Sequence, residues 1–245
     1  DNRALAGICF FDLAKAFDTV WHRGLLAKLE HAFRVRKQPL SWLKSYLSGR
    51  YQYVTVLGTS SAAEPVLSGV PQGSILGPLL FIIYVNDLPA VFPGTSLFAD
   101  DTTLLTSSAS LTGLKNNLRA GIQEVLSWMS SWRLSPNLSK TKIMLFPPQP
   151  EFTTLIHANF PNPIDIVSSH KHLGIVIDSA LSWVPHIEYI CKKSSKSLGI
   201  LSPHCSYLPL SCKLLFYFAY LRPIFHYADT SWVGLSSSAA AKLEI

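Results

Sequence analysis

The segment Leu5 to Leu13, LAGICFFDL, constrains this chain more than any other. It is a short, nearly continuous apolar run that carries a carboxylate, Asp12, at its end. A strand with one wet face alternates apolar and polar residues, so this run predicts a strand buried in a sheet covered on both faces. A charge at the end of such a strand is expensive to desolvate unless a counter-charge or a metal ion lies near it.

The pattern beyond it is mixed. Leu25, Leu26, Leu29, Ala32 and Phe33 fall at helical spacing within Phe17 to Phe33, and a second helix is expected over Leu40 to Leu47. Tyr51 to Leu57 is aromatic and β-branched, and predicts a strand ending at Gly58. Ser74 to Asn86 predicts a buried helix, after which Pro89 and Pro93-Gly94 break the chain. Thr95 to Ala99 and Thr102 to Thr106 favour strands and flank Asp100-Asp101, the pattern of a hairpin. Leu114, Leu118, Ile122, Val125, Met129 and Trp132 then form the stripe of an amphipathic helix, which Pro136 should stop. Lys142 to Phe146 reads as a strand, Pro147-Pro148 with Pro150 as a loop, and Ile164 to Val167 and Leu173 to Ile177 as further strands. From His186 the period is helical, with Ile187, Ile190, Leu198 and Leu201 on one side and Lys192, Lys193 and Lys196 on the other. A last helix is expected from about Leu210 to Tyr220. The expected fold class is α+β, mixed over the first two-thirds and mostly helical beyond a boundary near residue 180.

Composition narrows the class. Hydrophobic residues make up 48% of the 245 and charged residues 15%, ample apolar side chain to offset the entropy of ordering, which excludes intrinsic disorder. The glycines and prolines follow no period, which excludes collagen-like and low-complexity readings. The longest apolar run, Ile75 to Val85, is too short to span a bilayer and is broken by Gly77 and Pro78, so no membrane partner is expected. No signal-peptide pattern is present and the chain opens on Asp1 rather than Met. A mean hydropathy of +0.25 is high for a free-standing protein, as expected of a piece whose surface packs on neighbours in a longer chain. The net charge is +6, from 21 Lys and Arg against 15 Asp and Glu. Arg34, Arg36, Lys37, Lys44 and Arg50 interleave with Phe33, Trp42, Tyr46, Tyr51 and Tyr53, which fits contact with a phosphate backbone or a plain solvated helix face. The four cysteines form no CxxC pair, and His204, Cys205 and Cys212 match no common zinc spacing, so reduced thiols are expected, with Cys9 in the core.

Asp12 and the pair Asp100-Asp101 are the candidate chemical centre. Adjacent carboxylates repel, and a divalent cation is the usual reason to keep them together. Hard oxygen ligands suit Mg²⁺, two ions of which can hold the attacking and leaving oxygens of a phosphoryl transfer. If both residues are extended, strand alternation puts Asp100 and Asp101 on opposite faces and makes one the closer ligand. The dipeptide alone fits a surface turn better.

Order and spacing add to this. FFDLAKAFDTV (Phe10 to Val20), GVPQGSILGPLLFIIYVNDL (Gly69 to Leu88) and FADD (Phe98 to Asp101) occur in that order. SWLKSYLSGRYQYV (Ser41 to Val54), NLSKTKIM (Asn137 to Met144), HLGIVID (His172 to Asp178) and LRPIFHYADTSW (Leu221 to Trp232) complete the set. Over almost its whole length the chain resembles the reverse transcriptases (RNA-directed DNA polymerases) of LINE-type, non-LTR retrotransposons. The resemblance implies a right-hand polymerase palm over residues 1–180, an antiparallel sheet with helices on one face, followed by a partial helical thumb over 181–245. Fingers and endonuclease would lie in other segments of a longer polyprotein. The implied reaction is attack of a primer 3′-hydroxyl on the α-phosphate of a dNTP, on an RNA template with a DNA primer, using two Mg²⁺ (or Mn²⁺) ions, with action in the nucleus.

The resemblance also implies roles. Asp12, Asp100 and Asp101 would be catalytic metal ligands, joined by the Leu13 carbonyl. Phe17 would exclude a 2′-hydroxyl, the alternative being an ordinary core aromatic. Gln72 and Gly73 would meet the incoming nucleotide, Gly73 by close backbone approach and Gln72 by a hydrogen bond, unless they are simply a helix entry. Lys140 would protonate the departing pyrophosphate, or is an exposed turn lysine. His172, Leu173 and Gly174 would form the primer grip, a close backbone contact suiting Gly174. Lys192, Lys193 and Lys196 would touch duplex backbone or face solvent. Asp18 stands outside the metal set and is expected to cap the next helix. Pro136, Trp21 and Arg23 depart from the family pattern without touching the aspartates, and Ala239 to Ile245 are expected within a thumb helix.

Two other readings fit parts of the pattern. One is an inactive retrotransposon remnant or a nucleic-acid-binding scaffold without catalysis. The other is an RNA-dependent RNA polymerase or another two-metal palm, against which Phe17 and the Gln72-Gly73 block argue.

Overall fold

The apolar run forms a strand that stops one residue short of its carboxylate. In a computed structural model that describes residues 4–149, 154–155 and 163–232, β1 (Leu5–Phe11) buries Cys9, Phe10 and Phe11. A 3₁₀ turn at Ala16–Asp18 leads into α1 (His22–His31) and α2 (Lys37–Leu47). The single strand expected over Tyr51 to Leu57 is instead a doubled ribbon. Its outer pair is β2 (Tyr51–Gln52) with β5 (Glu64–Pro65), and its inner pair is β3 (Thr55–Val56) with β4 (Thr59–Ser60). Leu57 and Gly58, both at positive φ, turn the chain back on itself before a long strand can form.

α3 (Leu76–Val85) buries Leu80, Phe81, Tyr84 and Val85 but leaves Leu79 and Ile82 exposed, so the expected buried helix is covered along one side only. β6 (Thr95–Phe98) and β7 (Asp101–Ser108) form the expected hairpin. α4 (Leu111–Ser131) starts where Ser110 Oγ accepts the Gly113 N–H, a side-chain N-cap. It buries the predicted stripe from Leu114 to Met129. The helix ends before Pro136, in a turn with Arg133 at φ 56°. Pro136 faces Leu13 in an antiparallel bridge, flanked by hydrogen bonds from Ala14 N–H to the Ser135 carbonyl (2.8 Å) and from Asn137 N–H to the Asp12 carbonyl (2.6 Å). At that position a residue needs no N–H of its own, which explains why proline is tolerated.

β8 (Lys142–Phe146) completes a four-stranded sheet in the order β6-β7-β1-β8. After it come β9 (Thr154–Leu155) paired with β10 (Ile164–Asp165), then β11 (Ser169–His172) paired with β12 (Ile175–Asp178). The strand expected to start at Leu173 starts two residues later, because Leu173 and Gly174 (φ 47° and 83°) make a two-residue hairpin turn. α5 (Val184–Leu201) follows, then α6 (Leu210–Phe216) and α7 (Arg222–His226), joined by a π-helical segment, Tyr217–Leu221. The last helix is thus irregular rather than one run to Tyr220. The expectations for Pro150 and for Ala239 to Ile245 lie outside the described residues.

Contacts divide the chain into two units, Asp1–Ile143 with Glu151–Ile166, and Met144–Pro150 with Val167–Ile245. In the first, α4 packs on β1 and β7, while α1 packs on α2 and α3. Its core holds a lysine. Lys28 is 7% exposed, donates to the Tyr84 carbonyl at 2.6 Å and to Asp87, and lies 3.6 Å from the Trp132 ring centroid and 4.7 Å from that of Trp128. Burial pushes its pKa down, against the opposing pull of Asp87. In the second unit the β11–β12 hairpin packs on α5, and Asp178 accepts N–H groups from Ala180, Ser182 and Trp183, shaping the entry to that helix. Among the described residues no helix is long and apolar enough to cross a membrane.

Candidate active site

β1 pairs with β7 antiparallel, ending at Phe11 opposite Thr102. One more step of that register sets Asp12 across from Asp101, the first residue of β7. On the other side of β7, Asp101 pairs with Phe98, which leaves Ala99 (φ 54°) and Asp100 as the two-residue reversal. Asp12 and Asp101 are half-buried and Asp100 is exposed. The alternation argument therefore does not apply to the pair, since Asp100 is a turn residue and only Asp101 is in a strand.

Asp12 is held from two directions. Its carbonyl accepts from Asn137, and its Oδ2 lies 3.6 Å from Lys140 Nζ. The Asn137 carbonyl in turn accepts from the N–H groups of Lys140 and Thr141, so the turn that presents the lysine is built on the residue that grips Asp12. Lys140 is the counter-charge that a carboxylate in this position requires. Both partners are partly wet, so the pair contributes less than about 1 kcal/mol and is readily exchanged. Leu13 is buried, its backbone in the bridge to Pro136.

Among the described residues no three His, Cys, Asp or Glu side chains converge into a ready-made metal cage. The donors at these strand ends, three carboxylates and a backbone carbonyl, are nonetheless the hard oxygens that Mg²⁺ takes. Carboxylates at neighbouring strand ends repel unless a cation lies between them, so the chemistry of this donor set suits a divalent ion.

A groove of about 760 Å³ in the same unit is lined by Lys15, Asp18, Arg50, Ser68, Gly69 and Gln72, among others. The Ala16–Asp18 turn is tied to its other wall. Val70 N–H donates to the Phe17 carbonyl and Gly69 N–H to the Val20 carbonyl, both at 2.8 Å. Ser68 Oγ donates to the Asp18 carbonyl at 2.9 Å, and Gln72 Nε2 to Asp18 Oδ1 at 3.0 Å. His22 Nε2 meets the Gly69 carbonyl at 2.7 Å. Gly69 sits at φ 90°, and a Cβ there would stand 2.8 Å from Asp18 Cα. Phe17 stacks on Phe81 with ring centroids 4.6 Å apart. Gly73 is at φ 79° with nothing within 4 Å of an added Cβ. Backbone conformation, not internal packing, calls for glycine there.

Asp18 does not cap α1. The helix follows Trp21 with no side-chain cap, and the Asp18 carboxylate takes the Gln72 amide instead. Sequence reading missed this link and the role of Gly69, because the partners are some fifty positions apart and no period connects them.

In the second unit, His172 pairs with Ile175 across the hairpin whose turn is Leu173-Gly174. The close contact at Gly174 is internal, since a Cβ would come within 3.1 Å of the Tyr227 ring, and the Tyr227 hydroxyl donates to the Leu173 carbonyl at 2.7 Å. Tyr227 was not singled out from sequence. Lys192, Lys193 and Lys196 are exposed on α5, and Lys193 lines a cavity of about 440 Å³ with His186, Tyr189, Tyr220 and Tyr227.

Comparison with known proteins gives this arrangement a context. Residues 2–198 match the family described as Reverse transcriptase (RNA-dependent DNA polymerase). The chain is 31% identical over 240 residues to the RNA-directed DNA polymerase from mobile element jockey of Drosophila melanogaster, covering 93% of this chain and 26% of that protein. The jockey polymerase of Drosophila funebris is 31% identical over 196 residues, covering 76% and 21%. The chain thus spans about a quarter of the length of the curated relatives it matches. In fold it is similar to apo telomerase from Candida tropicalis truncated from its C-terminal domain, with a TM-score of 0.50 at 13% identity over 71% of this chain and 34% of that one. With the family match spanning the aspartate strands and the Gln72 loop, and with relatives from jockey elements, the chain belongs to the reverse transcriptase (RNA-dependent DNA polymerase) family, among those of LINE-type, non-LTR retrotransposons.

Proposed function

We propose that this chain is the palm (residues 1–180) and part of the thumb (181–245) of an RNA-directed DNA polymerase that extends a DNA primer on an RNA template with dNTPs. The observation that supports the reading is the register of β1 on β7, which ends with Phe11 opposite Thr102 and leaves Asp12 and Asp101 as the next residue on each chain, with Asp100 on the adjoining turn. Asp12, Asp100, Asp101 and the Leu13 carbonyl would hold two Mg²⁺ (or Mn²⁺) ions, whose chemistry when bound is to neutralise charge on the attacking and leaving oxygens. The chain's own residues position the reactants, which is where most of the remaining rate enhancement lies.

Phe17, backed by Phe81, is a rigid ring against the sugar. Gln72 and Gly73 meet the nucleotide, and the bare surface at Gly73 leaves room for it. Lys140, held beside Asp12 at 3.6 Å, would give a proton to the pyrophosphate. His172, Leu173 and Gly174, braced by Tyr227, present a firm hairpin to the primer end. The other segments of the longer relatives are the natural partners of the chain.

Primer extension with dNTPs and with NTPs tests the reading. The wild-type chain should prefer dNTPs, and Phe17→Ala should narrow that preference at least tenfold, an interaction of about 1.4 kcal/mol. Unchanged sugar discrimination in Phe17→Ala would remove Phe17 from the site. A non-catalytic nucleic-acid scaffold is the second reading, for which the net charge of +6 would suffice. It predicts binding of primed RNA with no extension at any Mg²⁺ or Mn²⁺ concentration.

A further inference from the structure

We infer that Asp18 is a positioning residue that fixes which end of the Gln72 amide faces the nucleotide, an inference that rests on the polymerase reading above. A primary amide presents a donor, Nε2, and an acceptor, Oε1, of nearly the same size, and what it recognises depends on which one points outward. An ionised carboxylate only accepts. Because Asp18 Oδ1 takes Nε2 at 3.0 Å, Oε1 is the group left for a ligand in the groove, and it selects a hydroxyl or amino donor on the incoming nucleotide.

Asp18 is itself held rigidly. Its carbonyl accepts from Ser68, its Cα lies against Gly69, and the preceding carbonyl, that of Phe17, accepts from Val70. The expected sugar gate and the anchor of the amide are therefore consecutive residues of one turn, clamped to the loop that carries Gln72. A shift of that turn moves both contacts together.

The test is primer extension by the full chain across a dNTP series, with thermal unfolding of each variant beside it. Asp18→Ala frees the amide and should raise the KM for dNTP roughly threefold while kcat stays within about twofold, the size expected for one exposed hydrogen bond. Asp18→Asn, whose amide can either accept from Nε2 or donate to Oε1, no longer fixes the orientation and should give a KM between those of the wild type and Asp18→Ala. Asp18→Ala combined with Gln72→Ala should be no worse than Gln72→Ala alone, because the first residue acts only through the second. A variant pair at the surface covers the case in which Asp18→Ala fails to fold. Gln72→Glu sets two carboxylates against each other and should raise KM, and adding Asp18→Asn, which donates to the new carboxylate and leaves an acceptor outward, should recover much of the loss. A merely structural role would lower the melting temperature and change kcat together with KM, with no recovery in the paired swap. An unchanged KM in Asp18→Ala, multiplying effects in the double variant, or no recovery in the paired swap would each overturn the inference and leave the polymerase reading standing. A wild-type chain that incorporates no dNTP overturns the polymerase reading, and this inference with it.

Discussion

Lys28 and Asp12 are charges placed beside the core, and each has its own solution. Asp12 stays at the wet end of a strand with Lys140 beside it. Lys28 enters the core and is met by two tryptophan rings, a carbonyl and Asp87. Removing it empties that cage and strands the Tyr84 carbonyl, so Lys28→Ala should destabilise the chain by about 3 kcal/mol in urea unfolding, with Lys28→Met closer to wild type because its stem still fills the space. Equal losses in the two variants would show that charge rather than packing dominates. The need of Asp12 for a partner was legible in LAGICFFDL, since it follows from where the apolar run ends. The cage of Lys28 was not, because Trp128 and Trp132 lie about a hundred positions away, the first not singled out and the second read only as part of a helix stripe. Asp18 fails in the same way, its local context suggesting a cap while a distant amide claims the carboxylate.

Among the elements, those with a long local pattern were read correctly and those set by a turn were not. α4 and the β6–β7 hairpin follow from periodicity and from strand-favouring runs about Asp100-Asp101. The ribbon after Tyr51 and the start of β12 depend on positive φ at Leu57 and Leu173, which a leucine does not advertise. Turns also locate the weak points. Gly69→Ala pushes a Cβ into the backbone of Asp18 at a φ of 90° and should cost at least about 2 kcal/mol in denaturant unfolding. A loss below 0.5 kcal/mol, on the order of a neutral surface change, would mean that the clamp on Asp18 is loose.

α5 carries a pH dependence. His186 is buried, its Nδ1 accepts the Val176 N–H at 3.3 Å, and burial lowers its pKa from 6.5. The unfolded chain therefore binds the proton more readily than the folded one. Stability is full above pH 6.5 and falls as the pH drops from there toward the lowered folded value. His186→Phe should flatten that decline in urea titrations, and an unchanged slope would assign it to other groups.

For the molecule as a whole, the family blocks were legible because they are contiguous, while the packing of the β11–β12 hairpin on α5 was not, because a residue pattern marks elements and not the neighbours they pack on. The net charge of +6 gives a further expectation. If the chain grips nucleic acid through about four phosphates, its affinity for primed RNA should fall about a hundredfold between 50 and 200 mM salt. A salt-independent affinity would mean that the basic residues face solvent.

The central claim is that the strand ends at Asp12, Asp100 and Asp101 form a working polymerase centre. The most direct measurement is template-dependent dNTP incorporation on a primed RNA with Mg²⁺ or Mn²⁺, comparing the wild-type chain with Asp100→Asn, an exposed turn position where the change should leave the fold intact. The account predicts incorporation by the wild type and a loss of at least about a hundredfold in the variant. Equal incorporation by both, or none by the wild type, would contradict it.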